Sequence, residues 1–192
     1  MSAAAVEYDW SWDALLRAWQ ELDVPEGWHA EILEGGITMT PPPGNGHNRI
    51  AERVHRALIG VLPSEWGVYQ TLAVSVTSLR RLFEPDLVVV PETELSALPD
   101  AMPVPADRAK LAVEIVSKSN ARTDRVEKLR AYALAPVPLY LLIDRFAEAG
   151  PLVTLFSDPA DGHYQSSHGV PFGGKITIPE PIGLVLDTKE FD

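Results

Sequence analysis

The sequence predicts a protein of the α/β or α+β class, with a mixed central sheet flanked by helices and extra strands at the C-terminal end. Three observations carry this. Through the middle of the chain the apolar period switches between helical and strand spacing in the order helix, strand, strand, strand, helix, strand. The strand candidates there include short Val-rich runs of the kind that fill a sheet buried on both faces. After Gly150 the helical period disappears, and short strand-like segments separated by Gly and Pro follow. A chain of 192 residues with 46% apolar content can bury one good core and seldom two, so residues 1–192 are expected to form a single domain.

Each element has its own signal. "SWDALLRAWQEL" puts Trp12, Leu15, Leu16 and Trp19 at helical spacing behind a Ser11 cap, which predicts an amphipathic helix packed on the outside of the core. "HAEILEGGITMT" reads as a hairpin turning at Gly35 and Gly36, ended by the loop "PPPGNG". In "HNRIAERVHRALIGVL" the residues Ile50, Val54, Leu58 and Val61 fall on one helical face, with Arg49, Arg53 and Arg56 on the wet side. "GVYQTLAVSVT" alternates as one half-buried strand, and "EPDLVVVPE" is a central strand. Residues 93–108, rich in Pro and Ala, read as a long surface loop. "KLAVEIV" is a third strand, "NARTDRVEKLRAYALA" a helix buried along Val126, Leu129, Tyr132 and Ala133, and "PLYLLID" a fourth strand. "LVTLFS", "HYQSSH", "KITI" and "GLVLD" supply the C-terminal strands.

Composition narrows the chemistry. The absence of Cys removes disulfides, thiolate nucleophiles and zinc ribbons, and points to the cytoplasm. No apolar run approaches the roughly 18 residues of a membrane helix, and "MSAAAVEYDWSWD" has acids where a signal peptide carries Lys or Arg, so a soluble, unprocessed chain without membrane contact is expected. A formal net charge of −11 argues against tight nonspecific nucleic-acid binding but leaves room for a local basic cleft. There is no HExxH, no Gly-rich phosphate loop and no GxSxG, and the five His residues share no metal-ligand spacing.

What stands out is a pair of acids in greasy strands. Asp86 opens "DLVVV" and Glu114 interrupts "KLAVEIV". A desolvated carboxylate costs several kcal/mol unless it takes up a proton, pairs with a cation or binds a metal. Two such groups at neighbouring strand ends form a hard oxygen site suited to Mg²⁺ or Mn²⁺. Taken singly, each acid is more readily explained by a solvated strand end or an Arg partner.

The order "EPD", then Glu114 28 residues beyond Asp86, then a helix carrying Lys128, resembles the PD-(D/E)XK nuclease superfamily. More closely, "AEILEGG", "PPPGNGH", "EPDLVVV", "LAVEIVSKSN", "TDRVEKLRAYA" and "YLLID" resemble the Uma-type family of restriction endonucleases, from about Glu31 to the C-terminal strands. The resemblance implies a restriction-endonuclease-like core over residues 46–144, preceded by a helical extension over 1–28 and followed by strands over 151–188. It implies that Asp86, Glu114 and the backbone carbonyl of Ile115 hold the metal. One departure matters: Val116 stands two residues after Glu114, where the superfamily motif has Lys. Lys128 matches the lysine of the Uma-type pattern, against the reading of an exposed i,i+4 pair with Asp124; Lys118 is a weaker substitute. Glu31 matches the family's N-terminal acid as a further ligand, and Glu52 competes for that role. His47 matches a family histidine facing substrate, although a lone His near a helix start is more often a cap or a satisfied surface residue. Ser117 and Ser119 are expected to cap the second helix or to support Glu114, with Asp124 beside Lys128, and Arg122 and Arg125 either meet phosphate or lie on a solvated face.

The function so implied is a Mg²⁺- or Mn²⁺-dependent endonuclease acting on DNA, with a homodimer suggested by fold analogy alone. A nuclease-fold binding or regulatory module without catalysis, and a hydrolase of small phosphoesters, are the alternatives.

Overall fold

The computed structural model describes residues 11–34, 36–118 and 120–191. Helix α1 (Trp12–Gln20) starts at Ser11, whose hydroxyl accepts from the Ala14 amide. Strands β1 (His29–Leu33) and β2 (Gly36–Thr40) form the expected hairpin in antiparallel register, Leu33 opposite Gly36. Helix α2 (Asn45–Ile59) buries Ile50, Val54 and Leu58, but ends before Val61, which is exposed. β3 (Trp66–Tyr69) and β4 (Val74–Val76) replace the single strand expected over this stretch. The chain breaks at Thr71, whose φ of +57° leaves the extended region, and β4 crosses into a different sheet. Ala73 and Ser75 are therefore buried, where alternation had set them outward.

β5 (Arg81–Phe83) leads to β6 (Leu87–Pro91), which is central as expected. The segment read as a loop contains helix α3 (Glu92–Ser96), strand β7 (Val104–Pro105) and a 3₁₀ turn over Ala106–Arg108, and it buries Val104 and Ala106 against the core. β8 (Leu111–Ile115) is followed by a helix that opens with a π stretch over Thr123–Lys128 and continues as α4 (Leu129–Leu134). β9 (Leu139–Asp144), β10 (Leu152–Ala160), β11 (His163–Pro171), β12 (Lys175–Ile178) and β13 (Leu184–Asp187) complete the chain.

Three sheets result. A six-stranded one has the order β11-β10-β9-β8-β6-β3, a five-stranded one β2-β1-β5-β4-β7, and β12 pairs with β13 alone. The pairing of β8 with β9 is parallel, which requires the crossover that the π/α4 helix makes. α2, β3, β6, β8, the crossover helix and β9 thus reproduce the expected order, with β4 and β5 set aside into the second sheet. Along β8 the side chains alternate between two cores. Leu111, Val113 and Ile115 join Ile50, Val54 and Leu58 of α2, while Ala112 and Val116 face Tyr132 and Tyr140. Glu114 shares the second face.

The crossover helix buries Tyr132 and Ala133 as expected but departs from the expected face in its first half. Val126 is 56% exposed, while Asp124 and Lys128 are buried. The wider π turn shifts the residues that meet the sheet, so the α-type period read from the sequence slips out of phase there. One carbonyl of this stretch, that of Asp124, accepts from the Tyr140 hydroxyl at 2.8 Å.

Candidate active site

Continuing the antiparallel register of β6 and β8 one step past Leu87 opposite Val113 brings Asp86 abreast of Glu114, and residues so opposed point to one side of a sheet. The ladder is closed there by a side chain: the Ile115 amide donates to Asp86 Oδ2 at 2.7 Å. The other oxygen, Oδ1, lies 3.1 Å from His47 Nε2. His47 comes from the first turn of α2, is 8% exposed, and its Nδ1 is buried without a partner. Asp86 is therefore held by a strand on one side and a helix on the other.

Glu114, 2% exposed, meets Lys128, 4% exposed. The Lys128 ammonium lies 2.9 Å from Glu114 Oε1, 2.9 Å from Glu31 Oε1 and 3.6 Å from Asp124 Oδ1. Glu31 arrives on β1 of the second sheet, fixed by the Glu84 amide at 2.9 Å. The Tyr132 hydroxyl donates to Glu114 Oε1 at 3.0 Å, one turn beyond Lys128 on the helix. Glu31, Asp86, Glu114, Asp124 and Lys128 line a cavity of about 200 Å³, which Thr40, the loop Pro41–Gly44, Ser117 and Asn120 also wall.

The electrostatics are lopsided. Three carboxylates share one ammonium, so with all ionised the cluster carries a surplus of two negative charges, with Asp86 adjoining. Burial pushes the Glu114 carboxyl well above the usual carboxylate range against the pull of Lys128, and Asp124, Asp86 and Glu31 add to the rise. Burial likewise pushes Asp124 up to about 6. For Lys128 burial acts to release the proton, but Glu114, Glu31 and Asp124 outweigh it and hold the ammonium well above the ordinary lysine range.

A pH dependence follows. The folded protein holds the Asp124 proton more tightly than the unfolded chain, where Asp titrates near 3.8. Its protonated form favours folding below that value, and the advantage is lost as pH rises through about 6. Measured against Asp124→Asn by urea unfolding in EDTA, the wild type is expected to lose stability between about pH 4 and 6, with a slope approaching 1.4 kcal/mol per pH unit. Parallel profiles for the two proteins would contradict this.

Of the residues predicted from sequence, Asp86, Glu114, Ile115, Glu31, Lys128, His47, Ser117 and Asp124 all line this cavity. Ser119 lies outside the described residues. Glu52, the rival to Glu31, is exposed and paired with Arg56 on the outer face of α2. Lys128 is not the exposed helix pair that was its alternative, because β1 and β8 cover it. Lys118 is not among the lining residues, and its ammonium lies over the Phe146 ring. Arg125 grips Asp144 through Nε at 2.7 Å and Nη2 at 3.0 Å, so its contact is with the sheet. Arg122 is exposed.

Sequence reasoning missed three participants. Tyr132 reads as one more apolar residue of the helix face, although its hydroxyl needs a partner when buried. Glu84, in the same "EPD" triplet as Asp86, holds His29 at 2.8 Å, and this hydrogen bond raises the His29 imidazole above its ordinary range. His29 and Glu84 both face the cavity, and only the β1–β5 pairing brings them together.

The donor set suits a hard divalent cation. Among the described residues no three His, Asp or Glu side chains are placed to hold an ion by themselves. Mg²⁺ needs no such set, because it keeps several waters and takes one or two carboxylates. The surplus negative charge and the open volume beside Asp86 and Glu114 meet that requirement.

A mixed sheet with two acids at adjoining strand ends and a buried lysine behind them defines a restriction-endonuclease-like protein. The family Uma2, described as "Putative restriction endonuclease", matches residues 13–189, and the chain belongs to it. A solved structure of similar fold is a putative nuclease belonging to DUF820 from Anabaena variabilis ATCC 29413, with a TM-score of 0.70 and 17% identity over 95% of this chain and 97% of that one. Comparison with curated proteins gave no match.

Proposed function

We propose that the protein is a metal-dependent endonuclease hydrolysing phosphodiester bonds in DNA. The observation that carries this is the buried Lys128 ammonium between Glu31 and Glu114, beside Asp86 and short of positive charge. Asp86, Glu114 and the Ile115 carbonyl would hold Mg²⁺ or Mn²⁺, with Glu31 joining directly or through water. Such an ion lowers the pKa of a bound water and polarises the scissile phosphate.

The chain's own residues do the remainder. His47 and the Ile115 amide fix both oxygens of Asp86, and Tyr132 orients Glu114. Lys128 reaches the site from the crossover helix, not from the strand position occupied by Val116, and supplies the cation that offsets charge developing on the phosphate. The Pro41–Gly44 loop walls the cavity and limits water entry.

Purified protein with Mg²⁺ or Mn²⁺ is expected to cleave plasmid or single-stranded DNA, and Asp86→Ala to lose that cleavage. Activity unchanged in Asp86→Ala would remove this site from the reaction. The net charge of −11 favours a second reading, a binding or regulatory module on the same scaffold, and absence of cleavage on plasmid, single-stranded DNA and RNA alike would support it.

A further inference from the structure

We propose that Lys118 and Arg145, braced against the ring of Phe146, bind a backbone phosphate next to the scissile one. The inference rests on the nuclease reading and identifies how so acidic a chain could hold a polyanion. Lys118 Nζ lies 5.5 Å from the Phe146 ring centroid and Arg145 Cζ lies 5.6 Å from it, both within cation–π range.

The patch sits at the mouth of the cavity and touches two of its walls. Lys118 follows Ser117, which lines the cavity, and Asn120 two residues on lines it too. Arg145 lies against Gly46, where an added Cβ would come 2.6 Å from Nη2, and Gly46 stands between the lining residues Gly44 and His47. A side chain at this position would push the guanidinium aside.

Both cations are available. Among the described residues neither has a carboxylate partner, and Asp144, next to Arg145, is taken up by Arg125. The same Arg125 donates to the Phe146 carbonyl at 3.0 Å, which anchors the backbone beneath the ring. The ring is exposed and holds the two side chains in place, so less freedom is lost when they take a ligand. A planar fork and a point charge packed on one ring suit a phosphate diester. Lys128 is buried with Glu31 and Glu114 inside the cavity, so a neighbouring phosphate needs cations of its own.

The test is fluorescence anisotropy of a short labelled DNA, single-stranded and duplex, titrated with protein in Ca²⁺ over a range of salt. Lys118→Gln with Arg145→Gln is expected to weaken binding about tenfold and to flatten the slope of log K against log salt by about 1.5, near 0.7 to 0.9 per lost contact. Arg145→Lys should keep the slope, which separates loss of charge from loss of fold. Mn²⁺ binding by calorimetry should be unaltered in both variants. Wild-type affinity and slope in the double variant, in a protein that binds and cuts DNA, would overturn this proposal alone. A wild type that neither binds nor cuts DNA would overturn it together with the nuclease reading.

Discussion

Lys128→Met is expected to destabilise the protein by about 3–5 kcal/mol at neutral pH, the range for removing one partner from a buried ion cluster. It should also slow cleavage by about 10²–10³-fold, the effect of losing one well-placed group that stabilises charge in a transition state. Met keeps the length and apolar stem of Lys, while the ammonium's contact with the Phe83 ring goes with the charge. What is lost is the charge to which Glu31, Glu114 and Asp124 all turn. Those carboxylates can relieve the loss by taking up protons, so the destabilisation should shrink as pH falls toward 5. Urea unfolding at pH 8 and pH 5, with cleavage rates alongside, checks both parts. A variant as stable as wild type at pH 8 would mean that the carboxylates do not depend on this ammonium.

Glu114→Gln should do the reverse to stability. A neutral amide relieves part of the surplus negative charge, can still accept from Tyr132, and leaves Lys128 with Glu31 and Asp124. In EDTA the variant is expected to unfold at or above the wild-type midpoint. Cleavage should nevertheless fall by about 10³-fold or more, since a metal-held carboxylate supplies several kcal/mol at about 1.4 kcal/mol per decade. Undiminished cleavage in a folded variant would dismiss Glu114 from the chemistry. This opposition of stability and activity is what a site that stores uncompensated charge for a ligand should display.

The part of this site legible in the sequence is the part set by strands. Asp86 and Glu114 stand out because a strand of Val, Leu and Ile makes a lone acid costly, and period-two alternation sets Glu114 on the face of Ala112 and Val116, the pair that meets Tyr132 and Tyr140. α2 was legible from its long, regular period, and β6, β8 and β9 from short runs of almost unbroken apolar residues. Lys128 was legible only through the family resemblance. Its period on the helix gave the wrong face, because the π stretch over Thr123–Lys128 leaves no mark in an apolar pattern and turns Val126 outward. Of the second sheet only the β1–β2 hairpin was legible. Its strands are short, Thr71 breaks an alternating run, and the pairing that brings Glu31 to Lys128 joins residues far apart in sequence. Tyr132 and the His29–Glu84 pair were hidden for that last reason too, since a hydrogen bond across elements has no spacing of its own.

Crystals grown without divalent ions and then soaked in Mn²⁺ give the most direct measurement, an anomalous difference map of the cavity. A single strong peak between the Asp86 and Glu114 carboxylates, weakened or absent in Glu114→Gln, is the predicted result. A cavity with no peak, in which Lys128 still bridges Glu31 and Glu114 at high Mn²⁺, would contradict a metal-dependent nuclease.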